Sequence, residues 1–325
     1  MKRRTLLAST IVIAARSGSA VAQDTAKVMR IGWLTAQGAP SLAPYVRVFR
    51  AALADLGYVE GRNLVIDFRY GEDAIDRVPA LVAELVRLPV DLIVAQGAAV
   101  FEISRLGLPM PIVYVYSGDP VAAGFAESLA RPRANMTGLT FMAVEFNGKR
   151  LELLREIVPG LRRVAILANP EHPGEPRELG NSEEIGRQLG LNIQYFPARS
   201  VEELVAVLGR LGTAQPQAIS VFADGFAVQN RKTIIDFAMR LRVPVISGWP
   251  VFAHSGALCS YGPRLSDSYR RLAYYVDRVL KGAKPAELPI EQPTTFEMVL
   301  NLKAAAALGL TIPPAVLLRA DAVIQ

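Results

Sequence analysis

The stretch Pro111-Ile112-Val113-Tyr114-Val115-Tyr116-Ser117-Gly118-Asp119-Pro120 decides the fold. Its first half is apolar and β-branched, the composition of a strand buried on both faces. Its second half breaks into a polar turn in which Gly118 permits a tight bend, Asp119 can cap a helix, and Pro120 suits the first helical turn. A helix over residues 121–130 is the expected sequel. Strand feeding helix is the unit of a parallel sheet, and in open α/β sheets ligands sit beyond the carboxyl ends of the strands. Residues 117–120 are therefore a candidate wall of a ligand site.

The same grammar runs outward in both directions. Before this stretch, strands are expected at 29–35, 63–70 and 90–95, alternating with helices at 44–56, 76–88 and 98–106. After Gly138 it restarts, with helices at 145–158, 183–189, 201–211 and 228–241 between strands at 163–168, 192–197, 218–222 and 243–246. Local echoes support a tandem pair: Leu56-Gly57 with Leu189-Gly190, Gln96-Gly97 with Asp224-Gly225, and Val243-Pro244-Val245 with Pro111-Ile112-Val113. The fold class read from this is α/β, two Rossmann-like lobes with parallel sheets. Beyond Tyr261 come a helix at 266–280, an extended proline-rich run at 286–293, a strand at 296–300 and a helix at 301–308. If this tail returns to the first lobe and crosses back, lobe 1 is 28–140 plus 262–290, lobe 2 is 141–261 plus 291–325, and a three-segment hinge joins them.

Residues 1–22 read as an export signal. Lys2, Arg3 and Arg4 precede a short apolar run, and Ala20-Val21-Ala22 has the small-x-small form of a cleavage site. Removing Lys2, Arg3, Arg4 and Arg16, with no acid among these residues, takes the formal charge from +6 to +2. A nearly neutral mature chain lacks the basic face that nucleic-acid binding needs. Cys259 is the single cysteine, so no internal disulfide can form.

The catalytic inventory is sparse. His172 and His254 are the two histidines, and neither belongs to an HExxH or Cys/His cluster, so no metal site is expected. GxSxG, P-loop and GxGxxG patterns are absent, and no catalytic residue or cofactor is assigned. Cys259 with His254 is the weak candidate for a nucleophile and base, but Cys259 sits in an apolar run and reads as a buried thiol. His172, between Pro170 and Gly174, reads as a solvated loop residue, although its loop follows a strand and faces the expected cleft. Positive signals come from loops carrying polar and aromatic groups: Thr35, Gln96, Ser117, Asp119, Asn135 and Thr137 in the first lobe, and Asn169, Asp224, Phe226, Trp249 and Tyr261 in the second. Flat apolar walls with a few fixed polar groups describe a small-ligand pocket.

At this point the chain resembles the ABC transporter substrate-binding proteins of the tryptophan-binding-protein-like group, which have the type I periplasmic binding fold. The matching pieces include Leu56-Gly57-Tyr58-Val59-Glu60-Gly61-Arg62-Asn63, Gly118-Asp119-Pro120-Val121, Asn135-Met136-Thr137-Gly138, Gly148-Lys149-Arg150-Leu151-Glu152 and Ser260-Tyr261-Gly262. Leu288-Pro289-Ile290-Glu291-Gln292-Pro293 and the ending Ala307-Leu308-Gly309-Leu310-Thr311-Ile312-Pro313-Pro314 also match. The chain departs from the family pattern at Arg133-Ala134 and at Ala257-Leu258-Cys259.

The resemblance implies a periplasmic receptor that closes on a small ligand, an amino acid or aromatic carboxylate. The ligand would be delivered to an ABC permease driven by a separate ATPase, and that permease would be the receptor's sole membrane contact. On this reading Ser117, Asn135 and Thr137 hold a carboxylate, Asp119 or Asp224 an amine, and Trp33, Phe226, Trp249 or Tyr261 cover an apolar side chain. A ligand-sensing subunit for a membrane receptor and, behind it, an exported enzyme are the alternatives.

Overall fold

The computed structural model describes residues 27–325 apart from 73, 134, 142–144, 173 and 223; the expected export signal at 1–22 lies outside the described residues. The first half of the chain runs β1 (Met29–Thr35), α1 (Ala39–Asp55), β2 (Leu64–Tyr70), α2 (Val78–Val86), β3 (Leu92–Gln96), α3 (Ala99–Ser104), β4 (Ile112–Tyr116), a short hairpin of β5 (Ala126–Ser128) and β6 (Arg131–Pro132), then β7 (Met136–Thr140). The second runs α4 (Glu145–Ile157), β8 (Arg163–Ala168), α5 (Glu175–Gln188), β9 (Asn192–Pro197), α6 (Val201–Ala214), β10 (Ala218–Val221), α7 (Gly225–Gln229), α8 (Arg231–Arg240), β11 (Val245–Ser247), α9 (Pro250–His254) and β12 (Cys259–Pro263). The tail adds α10 (Leu265–Leu280), β13 (Phe296–Asn301), α11 (Leu302–Leu308), α12 (Pro314–Leu317) and β14 (Ala322–Ile324).

Among the described residues the strands build two large sheets. One is wholly parallel, in the order β2-β1-β3-β4-β7. The other has the order β14-β13-β12-β11-β10-β8-β9, and its β12–β13 pair alone is antiparallel. Successive residues of β1 serve opposite faces of the first sheet. Trp33 packs with Phe49 of α1 and Tyr269 of α10, whereas Leu34 packs with Val82 and Leu85 of α2. The second sheet is covered likewise, by α6 and α8 on one face and by α4 with the tail segments on the other.

The long amphipathic α10 lies against the first sheet although the strands on either side of it belong to the second. The chain therefore crosses between the sheets after β7, between β12 and α10, and before β13. The first and third crossings run side by side: Thr140 donates its N–H to the Glu291 carbonyl at 2.9 Å, and Glu291 N–H donates to the Gly138 carbonyl at 3.1 Å. Two glycines beside the crossings allow close backbone approach, Gly138 at the first and Gly262 at the second. A Cβ on Gly138 would lie 2.0 Å from the Tyr114 carbonyl oxygen, and one on Gly262 would lie 2.0 Å from that of Gly248.

Several local expectations are corrected. Residues 121–130 form a turn and the β5 strand instead of a helix. Asp119 accepts from the N–H groups of Val121 (2.9 Å) and Ala122 (3.3 Å), then the chain folds into the hairpin. Helix α1 begins at Ala39, earlier than the expected 44, with Pro40 suiting its first turn and Pro44 carried inside it. The single helix expected at 228–241 breaks at Asn230 into α7 and α8.

Candidate functional site

Parallel pairing puts the carboxyl ends of several strands level with one another. Thr35 pairs with Gln96, Gln96 with Val115, and Tyr116 with Thr140; in the second sheet Val221 pairs with both Leu167 and Ser247. The loops beyond these ends face each other across the gap between the sheets and enclose a cavity of about 260 Å³. Its walls come from both sides: Gln37, Gln96, Ser117 and Phe141 on one, Asn169, His172, Asp224, Phe226 and Trp249 on the other.

Six of the eleven residues expected at a ligand site line this cavity: Gln96, Ser117, Asn169, Asp224, Phe226 and Trp249. The other five are placed elsewhere. Thr35 is fully buried, with its Oγ1 accepting from Gln37 N–H at 3.1 Å. Asn135 precedes β7, at the amino edge of the sheet, where its amide donates to the carbonyls of Leu108 (2.6 Å) and Met110. Thr137 is buried in mid-strand and donates to the Leu288 carbonyl at 2.6 Å. Tyr261 stacks edge-on against Phe146. Asp119 sits outside the cavity, where its carboxylate meets Arg177 at 2.6 Å and joins the two lobes. Trp33 is wholly buried in the first core.

The polar groups in the cavity are held in defined states. Gln96 is 92% buried (8% exposed). Its Nε2 donates to Gln37 Oε1 at 3.1 Å, while its own Oε1 has no hydrogen-bond partner among the described residues. Asp224 caps α7, accepting from Ala227 N–H at 2.6 Å. Burial raises its carboxyl to about 6, against the opposing pull of that N–H and of the Asn169 amide.

His172, expected as a solvated loop residue, is half-buried and reaches across the gap, its Nε2 lying 2.7 Å from Ser117 Oγ. Its Nδ1 accepts from Gly174 N–H at 3.3 Å, and a backbone N–H can only donate. The ring proton is therefore on Nε2 and is given to Ser117, which leaves the serine hydroxyl free to donate to a ligand. Desolvation brings the imidazole down to about 4, so it is neutral near pH 7. His172, Gln37 and Phe141 were not singled out as site residues from the sequence; their position after strand ends was the available signal.

A second, smaller cluster adjoins the cavity. Arg150 of α4 is 5% exposed and donates from Nε to the Tyr261 carbonyl (2.9 Å) and from Nη1 to Asn147 Oδ1 (2.6 Å). Asn147 in turn donates to Glu178 Oε2 at 3.2 Å. Cys259 is fully buried and its thiol is pushed up to about 12 by desolvation, which removes it as a nucleophile. Among the described residues no cluster of His, Cys, Asp and Glu could hold a metal ion, and no helix is long and apolar enough to cross a membrane.

A family model described as ABC transporter substrate binding protein matches residues 34–324. The chain belongs to that family. It is a family of solute-binding proteins, not enzymes, and its members work outside the cytoplasmic membrane. A "tyrosine-binding protein" from Clostridioides difficile is 22% identical over 296 residues, covering 88% of this chain and 83% of that protein. Among solved structures, an ABC domain in complex with L-Trp from Streptococcus pneumoniae superposes with a TM-score of 0.85 at 24% identity, covering 91% of this chain and 99% of that one. The ligand-free, open structure of a Clostridium difficile substrate-binding protein with adhesive properties superposes at 0.69 with 20% identity, covering 92% of this chain and 100% of that one. These likenesses establish the family's type I periplasmic binding fold, two mainly parallel α/β sheets.

Proposed function

We propose that this chain is the exported receptor of an ABC importer and that it closes its lobes on a free amino acid with an aromatic side chain. The observation that carries the reading is the make-up of the cavity between the lobes. Phe141, Phe226 and Trp249 supply flat apolar walls, while Gln96, Ser117 and Asp224 supply a few fixed polar groups. Asp224 and the unpartnered Gln96 Oε1 suit an ammonium group; the free hydroxyl hydrogen of Ser117 suits a carboxylate. The names of the tyrosine-binding relative and the L-Trp complex support the ligand class. Residues 1–22 would be cleaved near Ala22 on export, leaving a periplasmic receptor that meets a permease with a separate ATPase. The three crossings serve as the hinge, and the ligand stabilises the closed arrangement by population shift.

The test is mass spectrometry of small molecules released from gently purified mature protein, followed by thermal shifts with aromatic amino acids and aromatic acids. A ligand at about 100 times its Kd adds about 2.7 kcal/mol and moves the melting temperature by several degrees. Absence of both a released molecule and a shift overturns the reading.

A further inference from the structure

Beside the main cavity lies a recess of about 30 Å³ that shares Ser117, Phe141 and Trp249 with it and is closed by Phe146, Arg150 and Glu178. The guanidinium in this recess is in an unusual position for a buried cation. Its two hydrogen bonds go to neutral acceptors, and it makes no ion pair within 4.0 Å among the described residues. A charge taken out of water needs a countercharge to be stable there. Glu178 is a weak one. Desolvation holds its carboxyl at about 7 in spite of the Arg150 charge, so near neutral pH much of it is protonated. Arg150, brought down to about 10, remains cationic.

We propose that Arg150 is the anion anchor of the ligand site: the ligand's carboxylate enters the recess beyond Ser117 and takes a charge-assisted hydrogen bond from the guanidinium. The inference rests on reading the cavity between the lobes as the ligand site. Ser117 lines both spaces and can donate to the same carboxylate. Phe141, Phe146 and Trp249 keep water from the pair, which strengthens it. A carboxylate beside Glu178 raises that group further, so binding takes up a proton at neutral pH.

The alternative role for Arg150 is a brace for the Tyr261 carbonyl, and a brace does not distinguish an acid from its amide. The experiment is calorimetry on the mature wild-type protein with L-tryptophan, L-tyrosine and indole-3-propionate, compared with tryptophanamide, tyrosinamide and indole-3-propionamide. The expected result is that the acids bind about a hundredfold tighter than their amides, with proton uptake seen by comparing buffers of different ionisation heat. Arg150→Gln should bring the ratio close to one; if that variant does not fold, Arg150→Lys, which keeps the charge but loses the guanidinium fork, should lower the ratio at least fivefold. Amides that bind as well as acids, or a folded Arg150→Gln that keeps the full ratio, overturn the anchor and leave the receptor reading intact. Failure of every probe to bind overturns both.

Discussion

Ser117 Oγ and His172 Nε2 lie 2.7 Å apart, although one residue ends a strand of the first sheet and the other follows a strand of the second. Both ring nitrogens are engaged, since Gly174 N–H occupies Nδ1. The bond spans the two lobes; a second proton on the ring would leave the Nε2–H donor in place but take Nδ1 away from the Gly174 N–H. His172→Ala should weaken L-tryptophan binding about five- to tenfold, the worth of one hydrogen bond of about 1 kcal/mol, with little change in melting temperature. Calorimetry decides this, and an unchanged Kd would remove the bond from the closing mechanism.

Stability should respond to pH through groups of opposite sign. His172 is lowered from 6.5 to about 4, so its contribution is complete above pH 6.5 and is lost as the pH falls towards 4. Glu178 is raised from 4.5 to about 7 and Asp224 from 3.8 to about 6, so theirs is complete at low pH and is lost as the pH rises through those values. Glu178→Gln removes one acidic contribution of roughly 3 kcal/mol. The variant should gain on the wild type by several degrees between pH 5 and pH 8 in thermal melts. A difference that stays constant with pH would contradict the assignment.

Asp224 caps α7 and, in the proposed site, also faces the ligand; two substitutions separate these roles. Asp224→Asn keeps an acceptor for Ala227 N–H and removes the charge; it should melt within a degree or two of the wild type near pH 4, several degrees above it at pH 8, and bind L-tryptophan about tenfold more weakly. Asp224→Ala loses the cap as well and should cost about 1 kcal/mol of stability in addition. Equal affinity in the wild type and the Asn variant would remove the carboxylate from the ligand site.

The glycines at the lobe junction admit no side chain. Gly138→Ala and Gly262→Ala each drive a Cβ into a backbone carbonyl oxygen, at 2.0 Å from Tyr114 and Gly248 respectively. Each should destabilise by about 3 kcal/mol or more, because no flexible group is there to move aside. Soluble yield and melting temperature are the readouts, and a variant that melts like the wild type would contradict the crowding.

The Asp119–Arg177 pair bridges the lobes at 2.6 Å, but the arginine side chain is 61% exposed. Its worth is therefore small, below about 1 kcal/mol, and screened by salt. Arg177→Ala should weaken ligand binding less than fivefold in dilute buffer and not measurably at high salt. A large effect that persists at 1 M salt would mean that the pair does more than hold two exposed charges together.

The lobes and their strand order of appearance were readable because buried strands and amphipathic helices announce themselves within a few residues, as 111–116 does. The turn at 119–124 was misread as a helix because an Asx cap looks the same at the head of either. What settles it is distant: Leu129 accepts from Ile290 N–H at 2.7 Å, a partner on the third crossing. The site was legible in part for a similar reason. Side chains directly after strand ends, such as Ser117 and Asp224, fall on the cavity by topology alone. His172 reads from the sequence as a solvated loop residue because its partner is 55 residues away, and Asn135 and Thr137 spend their hydrogen bonds on distant carbonyls that no local pattern reveals.

The cap at Asp224 limits what evolution can write at that position. Any residue there must accept the Ala227 N–H or forfeit the start of α7, which leaves Asp, Asn, Ser and Thr as the usable alphabet. Those four side chains differ in charge, reach and donor capacity while sharing one structural duty. If the proposed site is the ligand site, a change of cargo can be written at this position by moving among them, one codon at a time, without first having to repair the fold.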